Sequence, residues 1–168
     1  MQENLFYYGD LPKPPKNTKA PTKKVFSWTQ IKLIRESGPW YAPPITNPGD
    51  LIEILKEHLD IENLDREHFV VAYLDQKNNL AAMQTISIGS LNSTVVHPRE
   101  VFKTAVLASA ASVILAHNHP SGDPTPSKED IGLTKKLVEA GEILGIKVLD
   151  HIIVGVNQYT SFNRQGLI

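Results

Sequence analysis

The sequence predicts one mixed α/β domain preceded by an irregular arm. Three observations lead there. Apolar runs of strand length, such as Phe69–Leu74 and Ser112–His117, alternate with segments whose apolar residues recur every three to four positions. At 168 residues and 41% hydrophobic, the chain is one ordinary domain that can bury a core without disulfide or metal. Eight of its 12 prolines lie between Pro12 and Pro48, so regular structure is expected mainly after that point.

The elements follow in order. Gly9–Lys24 reads GDLPKPPKNTKAPTKK, with five lysines, four prolines and one acid. Such a segment cannot bury apolar area, so residues 1–24 are expected to be a basic, extended arm. Val25–Arg35 carries Phe26, Trp28, Ile31 and Leu33 and is a candidate strand. Asn47-Pro48-Gly49-Asp50 then starts a helix whose Leu51, Leu55 and Leu59 share one face. These two elements make residues 25–64 an N-terminal extension, leaving 65–168 as the main domain. Phe69–Leu74 is a buried strand, and DQKNN at Asp75–Asn79 is a turn into a second strand, Leu80–Ser90. Val95-Val96 is another strand candidate. Arg99–Ser112 reads as a helix with Val101, Ala105, Ala108 and Ser112 on one side. Ser112–His117 is a core strand. Ser127–Leu144 is a helix with Leu133, Leu137, Ala140 and Leu144 on its apolar face, and Gly145 stops it. Lys147–Val154 is the last core strand, and no internal repeat is visible.

Composition narrows the function. There is no cysteine, which removes thiol nucleophiles, Cys-based zinc sites and iron–sulfur clusters. The net charge of −1 makes no global case for nucleic acid, although the lysine-rich arm supplies a weak phosphate contact on one reading. No apolar run has the length of a membrane span, and MQENLFYYGD lacks the pattern of a secretory signal, so a soluble cytoplasmic protein is expected.

The chemistry is concentrated in Ala116–Asp130, AHNHPSGDPTPSKED. His117 and His119 stand two apart at the end of an apolar strand, where side chains at i and i+2 share a face. Pro120 ends the strand, and a proline-rich loop leads to a helix with Asp130 in its first turn. Two histidines and a carboxylate from rigid flanks make a three-ligand metal site. Zinc at such a site leaves one position open to water and lowers its pKa to roughly 7. Each feature alone has a plainer reading. A pair of strand histidines is common, and Ser127-x-x-Asp130 also matches a helix capping box.

His117-x-His119-Pro120, followed after six residues by Ser127-x-x-Asp130, resembles the JAMM metalloprotease signature of MPN-type proteins. The longer string HNHPSGDPTPSKED, with HPRE at His97–Glu100 and LDHIIVG at Leu149–Gly155, resembles the RadC-type branch of that family, over about Asp65 to Ile168. The resemblance implies a JAB/MPN (cytidine-deaminase-like) fold, a central mixed sheet flanked by helices. It implies zinc held by His117, His119 and Asp130, with Ser127 helping to hold the oxyanion or the water. It also implies an upstream glutamate as general base. The matching place is Glu67, in DREHFVVAYLD, with Glu100 as competitor; a helix start suits Glu100 without catalytic duty. Gln84 is excluded because an amide is no base. His97 and His151 read as structural, hydrogen-bonded histidines, and Arg99 as an ion-pair partner. Residues 1–64 show no helix-hairpin-helix of the kind found in full-length RadC-like proteins, so the family's link to DNA repair transfers poorly.

Three functions compete at this point. One is a zinc-dependent hydrolase of peptide or isopeptide bonds. Another is a metal-binding interaction module without peptidase activity. A third is a protein associated with DNA repair or mobile elements. Neither substrate nor oligomeric state is legible.

Overall fold

The computed structural model describes residues 43–89 and 96–168. The arm, the candidate strand at Val25–Arg35 and Val95 lie outside the described residues. The first described helix, α1 (Pro48–Leu59), starts where Asn47 accepts a hydrogen bond from Gly49 N–H at 2.8 Å and Asp50 accepts from Asn47 N–H at 3.0 Å. This reciprocal cap satisfies donors that a helix start leaves unpaired. A single 3₁₀ turn, Ile61–Asn63, leads to the strands β1 (His68–Leu74) and β2 (Leu80–Ile88). Asp75 closes their turn, accepting from Lys77 N–H and Asn79 N–H.

Next come α2 (Pro98–Leu107), β3 (Ser112–Asn118), α3 (Lys128–Leu144), β4 (Lys147–Gly155) and β5 (Gln158–Ser161). The strands form one mixed sheet in the order β2-β1-β3-β4-β5, with β3 and β4 parallel and the other pairs antiparallel. The parallel pair follows from the α3 crossover, since a tight turn cannot join parallel strands.

The sheet is covered on both faces. Phe69, Val71, Tyr73, Val113 and Leu115 pack with Val101 and Phe102 of α2 and Leu133 and Leu137 of α3. Val70, Ala72, Leu74, Ile114, Ala116, Ile152 and Val154 pack with Leu51, Ile52, Ile54 and Leu55 of α1. The alternation along β1 and β3 follows from the two-residue period of a strand. Both are buried on both sides, which is why they read as unbroken apolar runs.

Two sequence expectations are corrected, and one strand is added. The helix expected over Arg99–Ser112 ends at Leu107, and Ser112 is the first residue of β3. Ser109 turns the chain in the left-handed region, at φ 53°, so the chain can enter β3, the central strand of the sheet, despite a composition that suits a helix. On α3 the buried face is Asp130, Leu133, Thr134, Leu137 and Gly141, while Leu144 is half exposed. Gly141 takes the place because a Cβ there would stand 2.4 Å from Ile146 O and 3.2 Å from the Phe102 ring. Strand β5 was not anticipated; two of its four residues are exposed, and it carries no apolar alternation. Val96 is wholly buried. Among the described residues, no helix is long and apolar enough to cross a membrane.

Candidate metal centre

The site is built where β3 ends and α3 begins. Every residue of β3 is buried, so His117 at its carboxyl end is carried inward on a rigid strand. His119 lies just beyond, in a loop fastened to β4: His119 N–H donates to Val154 O at 2.9 Å, and Val156 N–H donates to Gly122 O at 3.1 Å. Ser127 caps α3. Its N–H and its hydroxyl both donate to Asp130 Oδ2, at 2.8 and 2.6 Å, and its oxygen accepts from Asp130 N–H at 3.1 Å. The capping-box reading of Ser127-x-x-Asp130 and its placement beside the histidines therefore hold together.

His117, His119 and Asp130 converge as a group able to hold a metal ion. The two Nε2 atoms are 3.1 Å apart; His117 Nε2 is 3.3 Å from Asp130 Oδ1, and His119 Nε2 is 3.6 Å from Oδ2. Ligands about 2.0–2.2 Å from a tetrahedral centre stand roughly 3.3–3.6 Å apart; the two carboxylate contacts, one to each oxygen, lie in that range and the Nε2 pair is slightly closer, so two neutral rings and a carboxylate suit a zinc-sized ion after a small adjustment. His119 Nδ1 lies 2.7 Å from Asp123 O. A carbonyl only accepts, so that nitrogen holds the hydrogen, and the Nε2 of a neutral ring is a bare lone pair facing the cluster.

The electrostatics point the same way. Hydrogen bonding to Asp130 raises the His119 pKa above its ordinary value against the opposing effect of burial, with smaller help from the Asp123 carbonyl and the charges of Asp130 and Glu67. Burial works to raise the Asp130 pKa, but His117, His119 and Ser127 outweigh it and hold the carboxyl below the usual range. The cluster thus favours a positive charge between the rings and the carboxylate, whether a proton or a metal ion supplies it.

Glu67 stands one residue before β1. Phe69 pairs with His117 across the sheet, so continuing that register sets Glu67 level with His119. Its backbone is held firmly: Glu67 O accepts from Gly89 N–H at 2.8 Å, Asn118 Oδ1 accepts from His68 N–H at 2.8 Å, and Asn118 Nδ2 donates to Arg66 O at 3.0 Å. Glu100 is engaged elsewhere, with Lys103 Nζ at 2.7 Å and Arg99 Nε at 3.2 Å, and these partners lower its pKa, Lys103 most. Gln84 accepts from the Thr104 hydroxyl at 2.6 Å. His97 is exposed and caps α2, its Nδ1 accepting from Arg99 N–H at 3.3 Å.

His151, expected to be a structural, hydrogen-bonded histidine, has a ring of the candidate site as one of its partners. It is wholly buried and its Nε2 lies 2.8 Å from His117 Nδ1, while Thr134 Oγ1 lies 2.6 Å from its Nδ1. Burial, reinforced by the charge of His117, holds its pKa well below the ordinary value. Neither Asn118, between the two histidines, nor Thr134, one turn after Asp130, was singled out from sequence. Their spacing to the ligands was the available signal.

A family model for the RadC-like JAB domain matches residues 45–167. The match begins upstream of the boundary expected at residue 65 and takes in α1, which packs on the sheet. The chain is similar to UPF0758 proteins of Desulforamulus reducens (62% identical over 121 residues), Syntrophomonas wolfei (58% over 126) and Caldanaerobacter subterraneus (57% over 122). These alignments cover 72%, 74% and 73% of this chain and 52%, 54% and 52% of the relatives. The chain spans about half the length of the curated relatives it matches. With the family signature, the two-faced mixed sheet and the match over nearly all described residues in agreement, the chain belongs to the family of RadC-like JAB domains.

Proposed function

We propose that this domain is a zinc-dependent hydrolase of peptide or isopeptide bonds. The observation that carries the reading is the convergence of His117, His119 and Asp130, which bring one donor atom each to within 4.8 Å of one another, the two Nε2 atoms 3.1 Å apart. Zinc held by these three residues would supply a water of lowered pKa and polarise the substrate carbonyl. Glu67, level with His119 at the strand end, would hold the proton given up by the attacking water and pass it to the amide nitrogen as the C–N bond breaks, so that the amine leaves neutral. Neither ligand histidine can do this, because its free lone pair is directed at the metal. Ser127 acts through Asp130: its one hydroxyl hydrogen is donated to Oδ2, so the oxyanion role expected for it requires it to release that carboxylate.

The test combines metal analysis with cleavage of a peptide library by zinc-loaded protein. Stoichiometric zinc that is lost in His119→Ala, and cleavage that falls about 100-fold or more in Glu67→Gln at unchanged zinc content, are the expected results. Zinc without cleavage of any library member assigns the domain to metal-dependent interaction instead. Absence of zinc in protein purified without chelator and then supplied with the ion defeats the reading.

A further inference from the structure

We propose that Thr134 and His151 form a directional hydrogen-bond relay that sets the tautomer of His117 and so presents its Nε2 lone pair at the metal centre. The inference rests on reading that centre as a metal site.

The direction follows from counting hydrogens. Thr134 Oγ1 lies 2.6 Å from Asp130 O and 2.6 Å from His151 Nδ1. A hydroxyl has one hydrogen and a carbonyl has none, so the hydroxyl hydrogen goes to Asp130 O. The threonine oxygen then accepts from the ring, which places a hydrogen on His151 Nδ1. The opposite direction would leave two oxygens 2.6 Å apart with no hydrogen between them. His151 is wholly buried, and its ring lies against Phe69 and Phe162, with centroids 5.6 and 4.8 Å away. With its one hydrogen on Nδ1, the neutral imidazole has a bare Nε2, which accepts. It faces His117 Nδ1 at 2.8 Å, and His117 therefore carries its hydrogen on Nδ1. That leaves His117 Nε2 bare, 3.3 Å from Asp130 Oδ1.

The relay starts on the backbone of one ligand residue and ends on the ring of another. It ties α3, β4 and β3 into one series of hydrogen bonds that ends at the candidate metal position. His119 reaches the same tautomer by a separate device, the Asp123 carbonyl at 2.7 Å. Partners of this kind orient ligand histidines and raise their basicity.

Two measurements test the relay. The first is the tautomer of each ring in metal-free protein at pH 8, read from long-range nitrogen–proton NMR couplings. The second is zinc affinity, from competition with a chelator. In wild-type protein His117 and His151 are both expected to carry hydrogen on Nδ1. Thr134→Val removes the acceptor while nearly keeping the shape. It is expected to shift His117 toward the Nε2–H form and to weaken zinc binding about 10- to 100-fold. Thr134→Ser is expected to restore both. A valine variant with wild-type tautomer and affinity overturns the relay and leaves Thr134 as packing. So does an Nε2–H form of either ring in the wild-type protein, which decides the matter even if the valine variant fails to fold. If the tautomers behave as expected while wild-type protein binds no zinc, the relay stands and the metal reading fails.

Discussion

Asn118 sits between His117 and His119 yet serves a third residue. Strand alternation turns it to the sheet face opposite His117, where its amide grips the backbone on both sides of Glu67. Removing that amide leaves His68 N–H and Arg66 O without this partner and frees the segment that carries the proposed base. Asn118→Ala is therefore expected to cost about 1–3 kcal/mol of stability by urea denaturation. It is also expected to lower hydrolysis about 10- to 100-fold, because a small displacement of a catalytic group is costly. Zinc content, measured by atomic absorption, should not change. If zinc is lost as well, Asn118 supports the histidines rather than Glu67.

Among the elements, the loop from His119 to Ser127 is shaped by its contact with the end of β4. Gly155 lets the two backbones meet: a Cβ there would stand 2.3 Å from Gly122 O and 2.9 Å from Pro124 Cδ. The obstacle is space, since Gly155 is not among the residues with positive φ. Gly155→Ala is expected to push the loop from the strand, at a cost of about 1–3 kcal/mol by thermal or urea unfolding. His119 moves with the loop, so zinc affinity should fall too; an unchanged affinity would show that the loop yields without disturbing the ligand. The start of α3 gives a second case. Ser127→Ala removes an N-cap worth about 1 kcal/mol and also the hydroxyl that orients Asp130. A loss of stability with full zinc affinity would show that Ser127 N–H alone holds the carboxylate.

For the whole molecule, the candidate metal centre joins β3, the loop and α3, three parts of the chain that come together only in the folded state. A ligand bound only by the native state stabilises it by mass action, about 2.7 kcal/mol at a free concentration 100 times its Kd. The melting temperature is therefore expected to rise with added zinc and to fall with chelator. His119→Ala should abolish the response. A melting temperature indifferent to zinc in the wild-type protein would mean that the ion does not bind the native fold.

Local pattern in the sequence determined the α/β class, the long helices, the buried strands and the grouping of His117, His119 and Asp130. Each of these depends on residues close together in the chain, whose periodicity and caps report burial directly. The ending of α2, the strand β5 and the partners of His117 depend on contacts distant in sequence. His151 is the clearest instance. Along β4, Val148 faces the side covered by α2 and α3, and simple alternation from there would turn His151 toward α1. The pairing of β3 with β4 slips between Val113 and Ile114, so that Ile114 lies opposite Asp150 and Leu115 opposite His151. That slip sends Ile152 and Val154 to the α1 face and brings His151 to Thr134 and His117. An irregularity in strand register arises from the packing of the whole sheet, and only the tertiary structure decides it.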